Sequence, residues 1–221
     1  MDKEKDILRS WEVNAVNWAD LIQRNGIESR RVATSKAIID AVSAYHPNSV
    51  LDVGCGEGWL VKELNDRGMT VIGFDAIPEL INKARQKSKS EFIVASYEDI
   101  YSGKIKFTQQ FDAIVANFSL IGKESTENLL HSLRKYLSAD GALFIQTLHP
   151  FVRKEINDYE SGWKEGSWDG FDQFVLPYQW YFRTLEDWIL IIKKAGFKTI
   201  DAKEICHPDS LKLLSVIFRC Q

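Results

Sequence analysis

Apolar positions follow two rhythms along the 221 residues, and the change comes near residue 47. Before it the period is helical. Trp11, Ala15, Trp18 and Ile22 recur every three or four residues, which places them on one helix face. A second stripe of Val32, Ser35, Ile38, Ile39 and Val42 runs to His46-Pro47, where proline disfavours a helical residue before it. Beyond that point short apolar runs alternate with helical stripes. Ser49–Val53, Thr70–Phe74, Glu91–Val94, Phe111–Ala116 and Ala142–Thr147 read as buried strands. Leu60/Val61/Leu64, Leu80/Ile81/Ala84 and Leu129/Leu130/Leu133/Leu137 mark the helices between them, and Ala139-Asp140-Gly141 reads as the turn before the fifth strand.

Strand–helix alternation at this spacing predicts a parallel sheet with helices on both faces. Near the end, Thr184–Asp187 resembles a capping box, and Trp188, Ile189, Ile192 and Ala195 carry a helix to Gly196. Two closing strands, about 198–205 and 212–219, are joined by His207–Ser210, too short for anything but an antiparallel pair. The expectation is an α/β, Rossmann-like, doubly wound sheet of seven strands, mostly parallel, with an antiparallel last strand. Residues 1–46 form an N-terminal helical flap and 47–221 the main domain. Residues 151–183 break the rhythm: they hold 10 of the 26 aromatic residues, with Gly162, Gly166 and Gly170 among them. So irregular and long a connection reads as a lid or a small structural subdomain.

Composition narrows the function. A net charge of −3 disfavours a general attraction to phosphate backbones, so no nucleic-acid partner is expected. The charged start, Met1 to Asp6, leads into no apolar segment, and no run reaches the roughly 20 residues that cross a bilayer. Cys55, Cys206 and Cys220 form no metal-ligand array, so no metal is expected, and reduced thiols fit a cytoplasmic protein. Oligomeric state is not legible.

The strongest local signal is Val50-Leu51-Asp52-Val53-Gly54-Cys55-Gly56-Glu57-Gly58-Trp59. A strand that runs into alternate glycines and then a helix lets the backbone approach a ligand closely. Asp75 ends the second strand, 21 positions beyond Gly54, where a carboxylate can hold a ribose across the sheet's switch point. Dinucleotide-binding loops need a third small residue where this chain has Trp59. The G-x-G-x-G form with a preceding acid is instead similar to motif I of the class I S-adenosylmethionine-dependent methyltransferases. Phe92–Ile100, Phe111–Asn117 and Leu137–Leu143 resemble later motifs of that family.

The resemblance implies S-adenosyl-L-methionine as donor, S-adenosyl-L-homocysteine as product, and in-line methyl transfer to a small, apolar or aromatic acceptor. By it, Gly54, Cys55 and Gly56 face the methionine end, Asp52 orients the loop, and Asp75 with Ala76 holds the ribose. Ser96 and the Tyr97 backbone meet the adenine, and Asn117 lies nearest the transfer point. Ser96 stands where many relatives carry Asp. Trp18 is a candidate cover for the donor; Arg30 and Arg31 are candidate partners for its carboxylate or simply a solvated face. His149 is either a general base or a hydrogen-bonded turn before proline. Trp163, Trp168, Tyr178, Trp180 and Tyr181 are candidates for the acceptor pocket, or pack on one another. The competing readings are an RNA or protein methyltransferase, and a donor-binding regulator without turnover. The first lacks a basic stripe: residues 155–172 include Glu155, Asp158, Glu160, Glu165, Asp169 and Asp172.

Overall fold

The computed structural model describes residues 2–221, without the side chains of residues 154–156; that of Glu155 therefore lies outside the described residues. The strands are β1 (Ser49–Val53), β2 (Thr70–Asp75), β3 (Glu91–Val94), β4 (Phe111–Asn117), β5 (Leu137–Leu148), β6 (Gly162–Lys164), β7 (Trp180–Phe182), β8 (Ile200–Cys206) and β9 (Leu213–Cys220). The helices are α1 (Lys3–Gln23), α2 (Ser35–Ser43), α3 (Trp59–Asn65), α4 (Pro78–Lys87), α5 (Tyr97–Tyr101), α6 (Glu124–Leu133) and α7 (Leu185–Lys194). Seven strands form one sheet in the order β3-β2-β1-β4-β5-β9-β8. β1 pairs in parallel with both β2 and β4, and β9 runs antiparallel to β5 and β8. The fold class and the reversed last strand are as the apolar pattern predicts.

Side chains on a strand alternate between faces, and both faces here are covered. Leu51, Phe74, Ile114 and Phe218 pack with Leu129, Leu130 and Leu133 of α6 and Trp188 of α7. On the other side Val50, Val71, Val115 and Phe144 pack with Ile38 and Val42 of α2, Leu60 and Leu64 of α3, and Ile81 of α4. That double burial is why the strands read as unbroken apolar runs.

Three local details differ from the sequence reading. The expected turn at 139–141 belongs to β5, which starts at Leu137 and reaches the main register through a shift opposite Phe111 and Ala113. α5 follows β3 in a stretch to which the sequence reading assigned no helix. Residues 30–34 form a π turn ahead of α2. The second helical stretch stops at Ser43, short of His46, which has a φ of +53° just before Pro47.

α1 lies across the carboxyl ends of the strands. Ala15 and Ala19 pack on Ile77 and Leu80 beside α4. At its other end the Glu4 carboxylate accepts hydrogen bonds from Lys123 N–H at 2.7 Å and the Ser125 hydroxyl at 2.6 Å, ahead of and within the first turn of α6. The residues of the expected flap thus divide, with α1 bridging the strand ends and α2 packing on the sheet.

Candidate active site

The chain passes from the edge containing β2 and β3 to β4 on the far side of β1, and a crevice opens at that reversal. The glycine loop enters it. Gly54 and Gly56 have φ of +68° and +56°, conformations that a side chain rarely adopts. A Cβ on Gly54 would stand 2.5 Å from Ser119 Cβ and 2.8 Å from the Tyr97 hydroxyl. At Gly56 the nearest atom would be Trp18 Nε1 at 3.9 Å, which leaves the loop's outer face open beneath the indole. Gly58 permits close packing of the loop on α4, since a Cβ there would lie 2.8 Å from Ala84 Cβ. The small residue that Trp59 fails to supply is therefore Gly58.

Asp75 is fixed from both sides. Gly56 N–H donates to Oδ2 at 2.9 Å and Ile77 N–H donates to Oδ1 at 2.9 Å. Burial raises this carboxyl to about 6, and the two N–H groups oppose the rise. Asp52 is only 2% exposed, and its Oδ2 has no hydrogen-bond partner among the described residues. Burial, followed by the charges of Asp75 and Glu57, pushes it up to about 8. Glu57 was not singled out from the sequence, yet it is as deeply buried, with Lys87 Nζ 3.7 Å from Oε1. Three carboxylates thus crowd one loop. Cys55 is buried within it, and its thiol is raised by burial and by those same charges.

Asn117 ends β4, with an Oδ1 that is buried and unpartnered among the described residues. Next to it Phe118 adopts a φ of +53°, and the Ser119 hydroxyl donates to the Val53 carbonyl at 2.6 Å. The Tyr97 hydroxyl donates to the Ser119 carbonyl at 3.0 Å. The Tyr97 side chain therefore ties α5 to the loop after β4, which Ser119 in turn fastens to the end of β1, a role its sequence context did not show.

Ser96 sits differently from its sequence reading, while His149 and Arg31 take the second of the two roles open to them. The Ser96 hydroxyl caps α5, donating to Asp99 Oδ2 at 2.8 Å and accepting from Asp99 N–H at 3.1 Å. His149 is fully buried, its Nδ1 accepting from Phe151 N–H at 3.2 Å while Nε2 meets Glu204 at 3.1 Å. Both ring nitrogens are occupied, which is the turn arrangement. Arg31 is exposed, whereas Arg30 stacks on Trp59 at 4.5 Å beside the start of α3.

The aromatics of residues 151–183 meet α1. Trp168 and Tyr178 are buried with Phe174, and Trp11 donates from Nε1 to the Tyr178 hydroxyl at 3.2 Å. Trp168 Nε1 donates to the Ser10 hydroxyl at 2.9 Å. Asn14 holds the backbone of Val175 twice, donating to its carbonyl at 2.6 Å and accepting from its N–H at 2.9 Å. Trp163, Trp180 and Tyr181 lie half-buried on the β6–β7 hairpin. Trp18, Trp11 and Trp168 follow one another at 5.0 Å centroid spacing, an aromatic path from the glycine loop to the lid.

A cleft of about 280 Å³ adjoins Asp75, lined by Leu8, Glu12, Ala76, Ile77, Pro78, Val94, Ala95, Ser96 and Asp99. A larger one, about 460 Å³, lies away from the glycine loop, between residues 106–110 and Lys135-Tyr136. Among the described residues no group of three or more His, Cys, Asp or Glu could hold a metal ion, and no helix is long and apolar enough to cross a membrane.

Residues 13–202 match a family model described as a methyltransferase domain. A ubiquinone biosynthesis O-methyltransferase of Glaesserella parasuis is 29% identical over 118 residues, covering 51% of this chain and 50% of that protein. The mitochondrial ubiquinone biosynthesis O-methyltransferase of Bos taurus is 34% identical over 109 residues, 45% of this chain and 28% of that protein. The chain thus matches half or less of the length of these two relatives. Among solved structures, a DhpI–SAM–HEP complex superposes with a TM-score of 0.68 at 14% identity, covering 99% of this chain and 97% of that one. An S-adenosylmethionine-dependent methyltransferase from Clostridium acetobutylicum gives 0.66 at 12% identity, covering 93% and 96%; at such identities the likeness is one of fold. With the family model spanning most of its length, a glycine loop after β1, an acid at the end of β2 and a reversed last strand, the chain belongs to the class I S-adenosylmethionine-dependent methyltransferases.

Proposed function

We propose that the protein transfers a methyl group from S-adenosylmethionine to a hydroxyl oxygen of a small, largely apolar or aromatic acceptor. The observation that carries the donor half is Asp75, gripped by Gly56 N–H and Ile77 N–H at the open face of the glycine loop. The residues present fit the donor. Gly54 and Gly56 leave a cradle that side chains would fill, and Asp52 and Asn117 each keep a buried polar oxygen without a partner.

When bound, the donor supplies a sulfonium-activated methyl group. Asp75 accepts hydrogen bonds from the ribose hydroxyls. Asp75 and Glu57 give the crevice a negative potential that favours a cationic ligand, and Asp52, raised by burial and by those two charges, gives up its proton when the cation lies beside it. Arg30, beside the start of α3, is placed for the donor's carboxylate. Asn117 Oδ1 accepts from the acceptor hydroxyl and so orients its oxygen, which is the main demand of an in-line displacement, and the proton that the hydroxyl loses on methylation passes to water. His149 takes no part as a base, because both its nitrogens are committed and it has no exposure. The Trp18–Trp11–Trp168 path and the hairpin bearing Trp163, Trp180 and Tyr181 form the apolar wall of the acceptor side. The names of the relatives, ubiquinone biosynthesis O-methyltransferases, support an oxygen acceptor of this kind.

Calorimetry with S-adenosylmethionine and S-adenosylhomocysteine tests the first half, and S-adenosylhomocysteine release with a panel of phenols and hydroxylated quinone precursors tests the second. Binding by wild type with loss of at least tenfold in Asp75→Ala is expected. Donor binding without turnover on any acceptor would leave a regulator; no donor binding would overturn the proposal.

A further inference from the structure

The cleft beside Asp75 has one wall that belongs to no motif. Ala76, Ile77 and Pro78 continue directly from Asp75 to the N-terminus of α4, and Val94 ends β3 with Ala95 following it. Across from them stand Leu8 and Glu12, one turn apart on α1. The cleft is flanked by aliphatic side chains and adjoins a carboxylate placed for a ribose, so what fits it is the planar base of a nucleoside. At about 280 Å³ it is close to the lower end of ligand pockets, roughly 300 Å³.

A 6-aminopurine presents an amine that needs an acceptor. Ser96 is a poor one, since its hydroxyl proton goes to Asp99 and it already accepts from Asp99 N–H. Asp99 is spent as well: Oδ2 accepts from Ser96 N–H at 2.9 Å and from the Ser96 hydroxyl, and Oδ1 holds Lys104 Nζ at 2.5 Å. Glu12 is the remaining carboxylate of the lining, exposed on α1 and with no hydrogen bond or ion pair among the described residues. We propose that Glu12 accepts a hydrogen bond from the exocyclic amine of the donor's base, so that α1 reads the base as well as covering it. This rests on the donor reading above, and it makes Glu12 a specificity residue contributed from outside the glycine-loop domain.

The test compares two product nucleosides by calorimetry, S-adenosylhomocysteine and its 6-oxo counterpart S-inosylhomocysteine. Wild type is expected to prefer the amine at least tenfold. Glu12→Ala should bring the ratio within about threefold, with unchanged circular dichroism and melting temperature, and Glu12→Gln, which keeps an acceptor oxygen, should retain part of the preference. Glu12→Ala with the full wild-type preference overturns the assignment while leaving the donor reading intact. Wild type that binds neither nucleoside overturns both.

Discussion

At Gly54 and Gly56 the same left-handed backbone faces different surroundings, and substitutions should separate them. Alanine at 56 adds a methyl group that meets only the Trp18 indole, at an ordinary 3.9 Å, with a strain of roughly 1–2 kcal/mol. Alanine at 54 adds a collision with Ser119 and Tyr97, so Gly54→Ala should cost clearly more in chemical denaturation than Gly56→Ala. The Asp52 carboxyl makes a second, pH-dependent case. Its folded value of about 8 lies above its ordinary 3.8, so between those limits the folded chain holds more protons than the unfolded one. Stability of the empty protein must then fall as pH rises from about 4 to about 8. Asp75, raised to about 6, adds to the same trend. Asp52→Asn should flatten that fall by a few kcal/mol, read from urea midpoints at pH 5 and pH 8.5. Donor affinity runs the other way. A cationic donor is held best when both carboxyls are ionised, so its Kd should drop from pH 5 to pH 8, and calorimetry in two buffers should register proton release.

Helices and loops of this protein are fastened by polar groups far apart in the chain. The largest such group is Arg183, 2% exposed, which donates to the carbonyls of Gly122 and Lys123 at 2.9 Å each and lies 3.5 Å from Glu127. Arg183→Met would leave both carbonyls without this donor, at a cost of about 2 kcal/mol or more in thermal or chemical unfolding. It would also free the loop between β4 and α6, measurable as faster amide exchange in residues 118–123. Asn14→Ala should release the 173–178 segment from α1 by a similar mechanism, again read by amide exchange. Such fastenings were not legible in the chain, because Asn14 meets Val175 across 161 positions and no local pattern records the meeting. The glycine loop and Asp75 were legible for the opposite reason: backbone geometry at a strand–helix turn demands small residues in fixed order. Ser96 stood between these cases. Its spacing to Asp99 is that of a capping box, but family resemblance drew attention to the adenine instead, and the cap is what its hydroxyl makes.

Across the whole molecule, the strand pattern led directly to the sheet because short apolar runs alternating with helical stripes, closed by an antiparallel pair, admit few other arrangements. The aromatic stretch at 151–183 was visible as an anomaly, but its partner was not. Trp168, Phe174 and Tyr178 bury themselves against Trp11 and Ile7 of α1, so lid and N-terminal helix form one cover. That cover is pinned near α6 by Glu4 and near α4 by Ala15 and Ala19, with the nucleoside crevice underneath. A strap buckled at both ends does not let a ligand pass without being undone. Spent nucleoside should therefore leave more slowly than the methyl moves, and rapid-quench experiments should show a first-turnover burst followed by a slower steady rate. Cutting the Glu4 buckle with Glu4→Ala should raise the steady rate toward the burst while weakening the hold on the nucleoside.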